Sequence, residues 1–210
     1  MTEKNKEISE EISEDKYADK IIQAIILAAG QSKRYGSDKT HLQINNTPIS
    51  IQIALLLKSL CTRALIVINE NNLVLQESIE KHNTESIINT YNSGIGSSIS
   101  LAVKATKDAS GWLICLADMP YIQPDTYKKI ITALQKNTAD KIIVPRYKSR
   151  LGHPVGFGRS YYNLLTNRQG DTGAKDIIRN HLEQVIYIDI DDAYILEDID
   201  TPADFERLAH

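Results

Sequence analysis

The sequence predicts an α/β fold of three layers, with a mostly parallel sheet covered by helices on both faces. Three observations predict it. Short apolar runs alternate with segments of helical length and period. The runs are apolar at successive positions rather than at every second one, as strands buried on both faces require. Residues of unusual polarity follow several of the runs directly, at what becomes one edge of a parallel sheet.

The elements follow in order. Ile21–Leu27 reads as a first, continuously apolar strand, and Ile49–Leu60 as a helix, with Pro48 where a helix start tolerates proline. Ala64–Ile68 is a second strand and Asn71–His82 a helix. Glu85–Asn89 is a third strand, Ser97–Thr106 a helix, and Trp112–Ala117 a fourth strand. A helix over Pro124–Gln135 and a strand over Lys141–Val144 complete the regular pattern. Pro145–Gly158, rich in Gly, Pro and Arg, reads as loop. Short helices are expected at Ser160–Leu165 and Ala174–Asn180, and strands at Gln184–Ile188 and Tyr194–Leu196. The last helix starts at Thr201-Pro202, with Thr201 as N-cap. There is no internal repeat, and residues 21–210 read as one domain.

Residues 1–20 form an acidic segment whose sizeable apolar groups are Ile8, Ile12 and Tyr17, too few to offset ordering entropy, so a disordered tail or frayed helix is expected. The segment has no apolar centre and is not a signal peptide. The run around Ala24–Ala29 is too short to span a bilayer. Cys61 and Cys115 form no C-x-x-C pair, so they read as buried thiols of a reducing compartment, and a cytoplasmic protein with no membrane partner is expected. A net charge of −3 gives no basic face for nucleic acid, while leaving room for a small anion held by local cations.

The loop Leu27–Lys39, LAAGQSKRYGSDK, is the first candidate site. Ala28, Ala29 and Gly30 let a ligand lie against the backbone, and Lys33, Arg34 and Lys39 place three cations within seven positions. That combination suits a base or sugar beside a polyphosphate; a surface turn with solvated charges is the alternative. It is not a P-loop, because Tyr35 stands where the second glycine would fall. Nor is Gly94-Ile95-Gly96 a dinucleotide fingerprint, because Ile99 stands at the third glycine's place. Asp118, at the end of WLICLA and stopped by Pro120, offers a rigid carboxylate opposite the cationic loop, a natural Mg²⁺ ligand. Asp200, before the Thr201-Pro202 helix start, offers another. Either could instead serve a turn or cap. Ser97 and Ser98, after two glycines at a helix start, could cap that helix or donate to an anion.

LAAGQSKRYGSDK, LADMP, LGHPVGF, GDTGAKDII and DIDTPADF occur in the order seen in the MobA-like NTP transferase family, and look most like its molybdenum cofactor cytidylyltransferase branch. The resemblance covers about residues 21–210. It implies a Rossmann-like nucleotidyltransferase fold and Mg²⁺-dependent transfer of CMP from CTP to molybdopterin, giving molybdopterin cytosine dinucleotide and pyrophosphate. Carried over by motif, Leu27, Ala28, Ala29 and Gly30 would hold the base and ribose, and Arg34 and Lys39 the phosphates. Asn69 would be a further nucleotide contact. Asp118 and Asp200 would bind the metal, with Lys39, Asp118 and Arg34 as the catalytic set. His153, Asp171 and Lys175 would face the pterin. Ala29, where the guanylyltransferase branch reads LAGG, points to CTP. Lys175 departs from the family's GDxGAR, losing the planar grip of arginine on a phosphate.

His153 could contact the substrate or brace its own loop, and Asp171 could bind the substrate or cap the helix after it. The alternatives to cytidylyl transfer are guanylyl transfer to molybdopterin, transfer to another phosphorylated small molecule, and a non-catalytic carrier of molybdopterin or nucleotide. Transient contact with a recipient molybdoenzyme is the macromolecular partnership the resemblance implies.

Overall fold

The structure, a computed structural model, describes residues 20–30, 42–44, 46–61, 63–90 and 94–208. The acidic segment up to residue 19 and the cations Lys33, Arg34 and Lys39 lie outside the described residues.

The strands are β1 (Ile22–Leu27), β2 (Gln43–Ile44), β3 (Thr47–Pro48), β4 (Arg63–Asn69), β5 (Glu85–Asn89), β6 (Gly111–Leu116), β7 (Ile142–Tyr147), β8 (Arg150–Leu151), β9 (Val155–Gly158) and β10 (Val185–Asp189). The helices are α1 (Ile49–Leu60), α2 (Leu73–Lys81), α3 (Gly94–Ala105), α4 (Pro124–Lys136), α5 (Tyr162–Thr166), α6 (Lys175–Asn180) and α7 (Pro202–Leu208). The main sheet runs β10-β7-β9-β6-β1-β4-β5, with β8 paired to β7, while β2 and β3 form a separate hairpin.

Burial explains the apolar runs. Along β1, Ile22, Ala24 and Ile26 face one core with α1 and α4, and Ile25 faces the other with α3, α5 and α6. Ile22, Ile25 and Ile26 are all fully buried, so neither face of the strand tolerates a charge. The one polar residue inside β1, Gln23, donates its amide to the Ala24 carbonyl at 3.0 Å. On the second face, Trp112 is anchored by its Nε1 donating to Thr106 Oγ1 at 3.1 Å and by Arg159, whose guanidinium lies 5.5 Å from its ring.

The expected parallel core is present, because β1 pairs in parallel with β4 and β6, and β4 with β5. The sheet as a whole is mixed. β9 runs antiparallel between β6 and β7, and β8 antiparallel to β7, inside the stretch expected to be loop. Further differences are local. The helix expected from Ser97 begins at Gly94, and the strand expected at Tyr194–Leu196 is a 3-10 turn over Ala193–Leu196. Asp192 causes the latter by accepting the Tyr194 N–H at 3.0 Å, a side-chain bond that closes a turn where a strand would leave the amide for a neighbour. Both cysteines are buried and free, and burial pushes the Cys61 thiol up to about 12. No helix among the described residues is long and apolar enough to cross a membrane.

Candidate active site

The carboxyl ends of the parallel strands share one edge: Leu27 is in register with Val67 and Leu116, and Asn69 with Asn89. Beyond that edge, Asp118, Asp198 and Asp200 bring carboxylate oxygens within 4.8 Å of one another. Two chain segments are joined to do this. The Ala117 N–H donates to Leu27 O at 3.3 Å, holding the turn after β6 against β1, and the Ile199 N–H donates to Asp118 O at 2.9 Å. Ile199 is fully buried, which anchors the segment between the two aspartates. Thr201 then caps α7 as expected. Its Oγ1 accepts from the Asp204 N–H at 3.2 Å, while Asp204 Oδ2 accepts from the Thr201 N–H at 2.8 Å, a reciprocal capping box.

Three anionic carboxylates at such separations repel by on the order of 1–3 kcal/mol per pair at effective dielectric constants of roughly 80 to 20. A divalent cation offsets that repulsion, and an all-oxygen, carboxylate-rich donor set suits Mg²⁺ or Mn²⁺. Asp118 and Asp200 were both expected here; Asp198 was not singled out. Its signal was the D-x-D spacing, which on an extended chain turns both carboxylates to one side and the intervening Ile199 to the other.

Asp198 also lines a cavity of about 680 Å³. Its walls include Ile114, Leu116 and Val155 from the sheet, and the cations Arg150, Lys175 and Arg179 at its rim. The GHP and GDTGA segments both reach it, so His153, Asp171 and Lys175 come together as the sequence suggested. Glycine makes this packing possible. A Cβ on Gly152 would stand 2.3 Å from Ile195 O, and one on Gly96 would stand 2.7 Å from Thr172 O. The Gly96 N–H donates to Gly170 O at 2.9 Å, tying the start of α3 to the GDTGA loop. Asp171 does not cap α6, whose N-cap is Ala174 with no side-chain bond. Arg150 and Arg179 were missed, since an arginine in a loop or on a short helix carries no sequence signal of its own.

His153 keeps partial exposure, but its Nδ1 is out of solvent and has no hydrogen-bond partner among the described residues. Burial, and next the Lys175 ammonium, lower its pKa to about 4, against the pull of the Ile114 backbone.

The donor strip is less uniform. Ala28 is buried in the core and spends its N–H on Val67 O at 2.9 Å, so its backbone amide is not open to a ligand as expected. Ala29 is half-buried, and Gly30 is exposed with open space around it. Asn69 ends β4 and accepts the Asn71 N–H at 3.1 Å. Ser97 and Ser98 sit inside the first turns of α3 rather than capping it. Both hydroxyls accept from the Asn89 amide, at 3.1 and 2.9 Å.

The profile of the MobA-like NTP transferase domain matches residues 24–185. The chain belongs to that family. Its fold and family make it a nucleotidyltransferase. The chain is 29% identical over 191 residues to the molybdenum cofactor cytidylyltransferase of Escherichia coli (strain K12), covering 88% of this chain and 93% of that protein. It is also 29% identical over 142 residues to the bifunctional protein GlmU of Ruthia magnifica subsp. Calyptogena magnifica, covering 67% of this chain but 30% of that longer protein. Among solved structures, Rv0371c of Mycobacterium tuberculosis H37Rv superposes with a TM-score of 0.77 at 23% identity, over 90% of this chain and 97% of that one. Its complex with manganese superposes at 0.74 and 22% identity, over the same shares of each chain.

Proposed function

We propose that this nucleotidyltransferase moves CMP from CTP to molybdopterin in the cytoplasm, with Mg²⁺ held by Asp118, Asp198 and Asp200. The observation that carries the reading is the double position of Asp198, which belongs both to the carboxylate cluster and to the wall of the cavity. A substrate seated in that cavity reaches the cluster directly.

In the transfer, an oxygen of the acceptor phosphate forms a bond to the α-phosphorus of the nucleotide, and the bond to pyrophosphate breaks in line with it. A bound Mg²⁺ supplies Lewis-acid stabilisation of the charge that grows on the phosphate oxygens. The protein's own part is positioning and neutralisation. Arg34 and Lys39, from the motif after β1, neutralise the triphosphate, while Leu27, Ala28, Ala29, Gly30 and Asn69 bound the base and ribose. Arg150, Lys175 and Arg179 meet the acceptor phosphate, so that two anions can approach. His153 and Asp171 face the ring end of the acceptor. The attacking group is already an anion, so no general base is needed.

The likeness to the Escherichia coli cytidylyltransferase over most of both chains, together with Ala29, favours CTP and molybdopterin over other pairs. Pyrophosphate release from CTP, GTP, ATP and UTP, each with and without molybdopterin and Mg²⁺, tests the reading. Release from CTP that depends on molybdopterin is expected. A preference for GTP would move the chain to guanylyl transfer, and release without regard to molybdopterin would point to another acceptor. No release under any combination would favour a carrier.

A further inference from the structure

We infer that the acidic segment of residues 1–19 folds back along α4 and seats Ile8 and Ile12 in the groove between that helix and the edge strand β10. Docking there does not depend on which nucleotide or acceptor the active site takes.

The groove is a cavity of about 510 Å³ that runs along α4. Asp125, Lys128, Lys129, Ala133 and Lys136 line its helix side, at the spacing of one helical stripe. Ile186 and Ile188 line its strand side; both pack against the core under α4 while staying partly open to solvent. β10 ends the main sheet, and among the described residues its one pairing is with β7. An edge strand with an apolar flank invites pairing with other chains, and proteins commonly cover such an edge with a helix or loop of their own.

Three observations name the occupant. The described chain begins at Lys20, whose Nζ donates to Gln135 O at 3.0 Å, so the residues before it set out from the C-terminal end of α4, beside Lys136. Residues 1–19 carry seven acidic side chains against three lysines, and the groove presents three lysines against one aspartate. Ile8 and Ile12 stand four apart, so on a helical path they share one side about 6 Å from each other, close to the roughly 6.6 Å between Ile186 and Ile188 along a strand. The same path from Lys20 back to Ile8 covers about 18 Å, the length of helix between Asp125 and Asn137. Two isoleucines and a few exposed ion pairs would hold separate molecules together only weakly. On a short tether, with an effective concentration on the order of mM, they suffice to fill the groove.

Paramagnetic broadening in the full-length, ¹⁵N-labelled chain tests the docking, with a nitroxide on Ser9→Cys. Cys61 and Cys115 are buried, so the label goes to the introduced thiol. The amide signals of Thr132, Ala133, Ile186 and Ile188 should lose most of their intensity relative to the reduced label, at every protein concentration. Those of Glu85 and Ile88 on β5, exposed at the opposite end of the sheet, should keep theirs. No loss in the groove, or equal loss at both ends of the sheet, overturns the proposal. Loss of the groove signals in unlabelled ¹⁵N protein mixed with nitroxide-bearing ¹⁴N protein also overturns it, because a second copy would then be the occupant. Charge is tested in the same way. Lys128→Glu, Lys129→Glu and Lys136→Glu together should restore the groove signals, and adding Glu10→Lys, Glu11→Lys and Glu14→Lys should remove them again. Signals still lost after the first three changes would overturn the charge-guided seat. The measurement on the unaltered groove decides the docking even where the triple variant does not fold.

Discussion

The two halves of the sheet are built differently. In β6-β1-β4-β5 every pairing is parallel, and β1 and β6 are buried along nearly their whole length. In β10-β7-β9, strand β9 is reversed and small: Val155, Gly156, Phe157 and Gly158 are all buried. A Cβ on Gly156 would stand 3.1 Å from Leu134, and one on Gly158 would stand 2.7 Å from Thr138 O. Glycine here lets a strand pass close beneath the loop and helix above it. The first half supplies Asp118, Asn69 and the small residues after β1. The second half and the segment after it supply His153, Lys175, Asp198 and Asp200. The proposed transfer between two substrates draws on both, and the carboxylates are where the two contributions meet.

Substitution at that meeting point should have the largest effect. Asp118→Ala should lower kcat by roughly 10²–10³-fold or more, the usual consequence of losing one engaged charge partner at a phosphoryl site. The metal-free variant should keep the wild-type fold, with a single cooperative thermal transition. Asp200→Ala should cost a similar factor, and the double variant little beyond either single one, since the carboxylates act as a unit. Steady-state rates with saturating Mg²⁺, alongside thermal melts without metal, measure both quantities. Near-normal turnover of Asp118→Ala would separate the first half of the sheet from the chemistry altogether.

The same contrast governs what the sequence reveals. β1, β4 and β6 were legible because burial on two faces leaves an uninterrupted apolar run, a local property of the chain. The motif order also led to Asp118, Asp200, His153, Asp171 and Lys175, all of which the fold brings to one edge or its cavity. β9 was not legible. VGFG has two glycines in four residues, and only its long-range neighbours, Trp112 and Ile142 among them, make it a strand. Tyr194–Leu196 misled in the opposite sense. Its apolar residues suit a strand, but Asp192 turns the chain and also accepts from the Gln123 N–H and Thr126 Oγ1 at 2.9 and 2.8 Å, a contact across 66 residues or more that no local pattern announces. Ala28 shows a third kind of limit, since a small residue permits a ligand's approach but does not keep the neighbouring strand from taking its amide first.

His153 carries a smaller effect, which shows in acid. Its pKa is about 4 in the folded protein, against about 6.5 for an unperturbed histidine, so the unfolded chain takes up a proton that the folded one refuses. The folded state is therefore unpenalised above about pH 6.5 and loses stability as pH falls from there toward 4. Between pH 7 and pH 5 the loss from this one group is about 2 kcal/mol. Urea unfolding of wild type and His153→Gln at both pH values isolates it, because titrations common to the two proteins cancel in the difference. The variant should gain on wild type by about that amount at pH 5 relative to pH 7. A gap that does not change with pH would mean that the ring titrates normally and that the cavity wall is wetter than its packing indicates.

The smallest expected effect belongs to Thr201, which acts on the carboxylate cluster from outside. Its hydroxyl accepts from the Asp204 N–H and donates to Asp204 Oδ2 at 2.8 Å, fixing the first turn of α7 directly after Asp200. Thr201→Ala removes both bonds and should cost about 1 kcal/mol, as N-cap losses usually do. Where that cost appears depends on what else holds the segment. Ile199 is fully buried and bonded to Asp118 O, so Asp198 is anchored without the cap, and Asp200 alone borders the loosened turn. Mn²⁺ affinity should accordingly fall by no more than about fivefold, the most that the lost cap could cost, while the urea midpoint falls by the equivalent of about 1 kcal/mol. A fall far beyond tenfold would show that the Thr201 cap, and not the Ile199 anchor, holds the second half's carboxylates against Asp118.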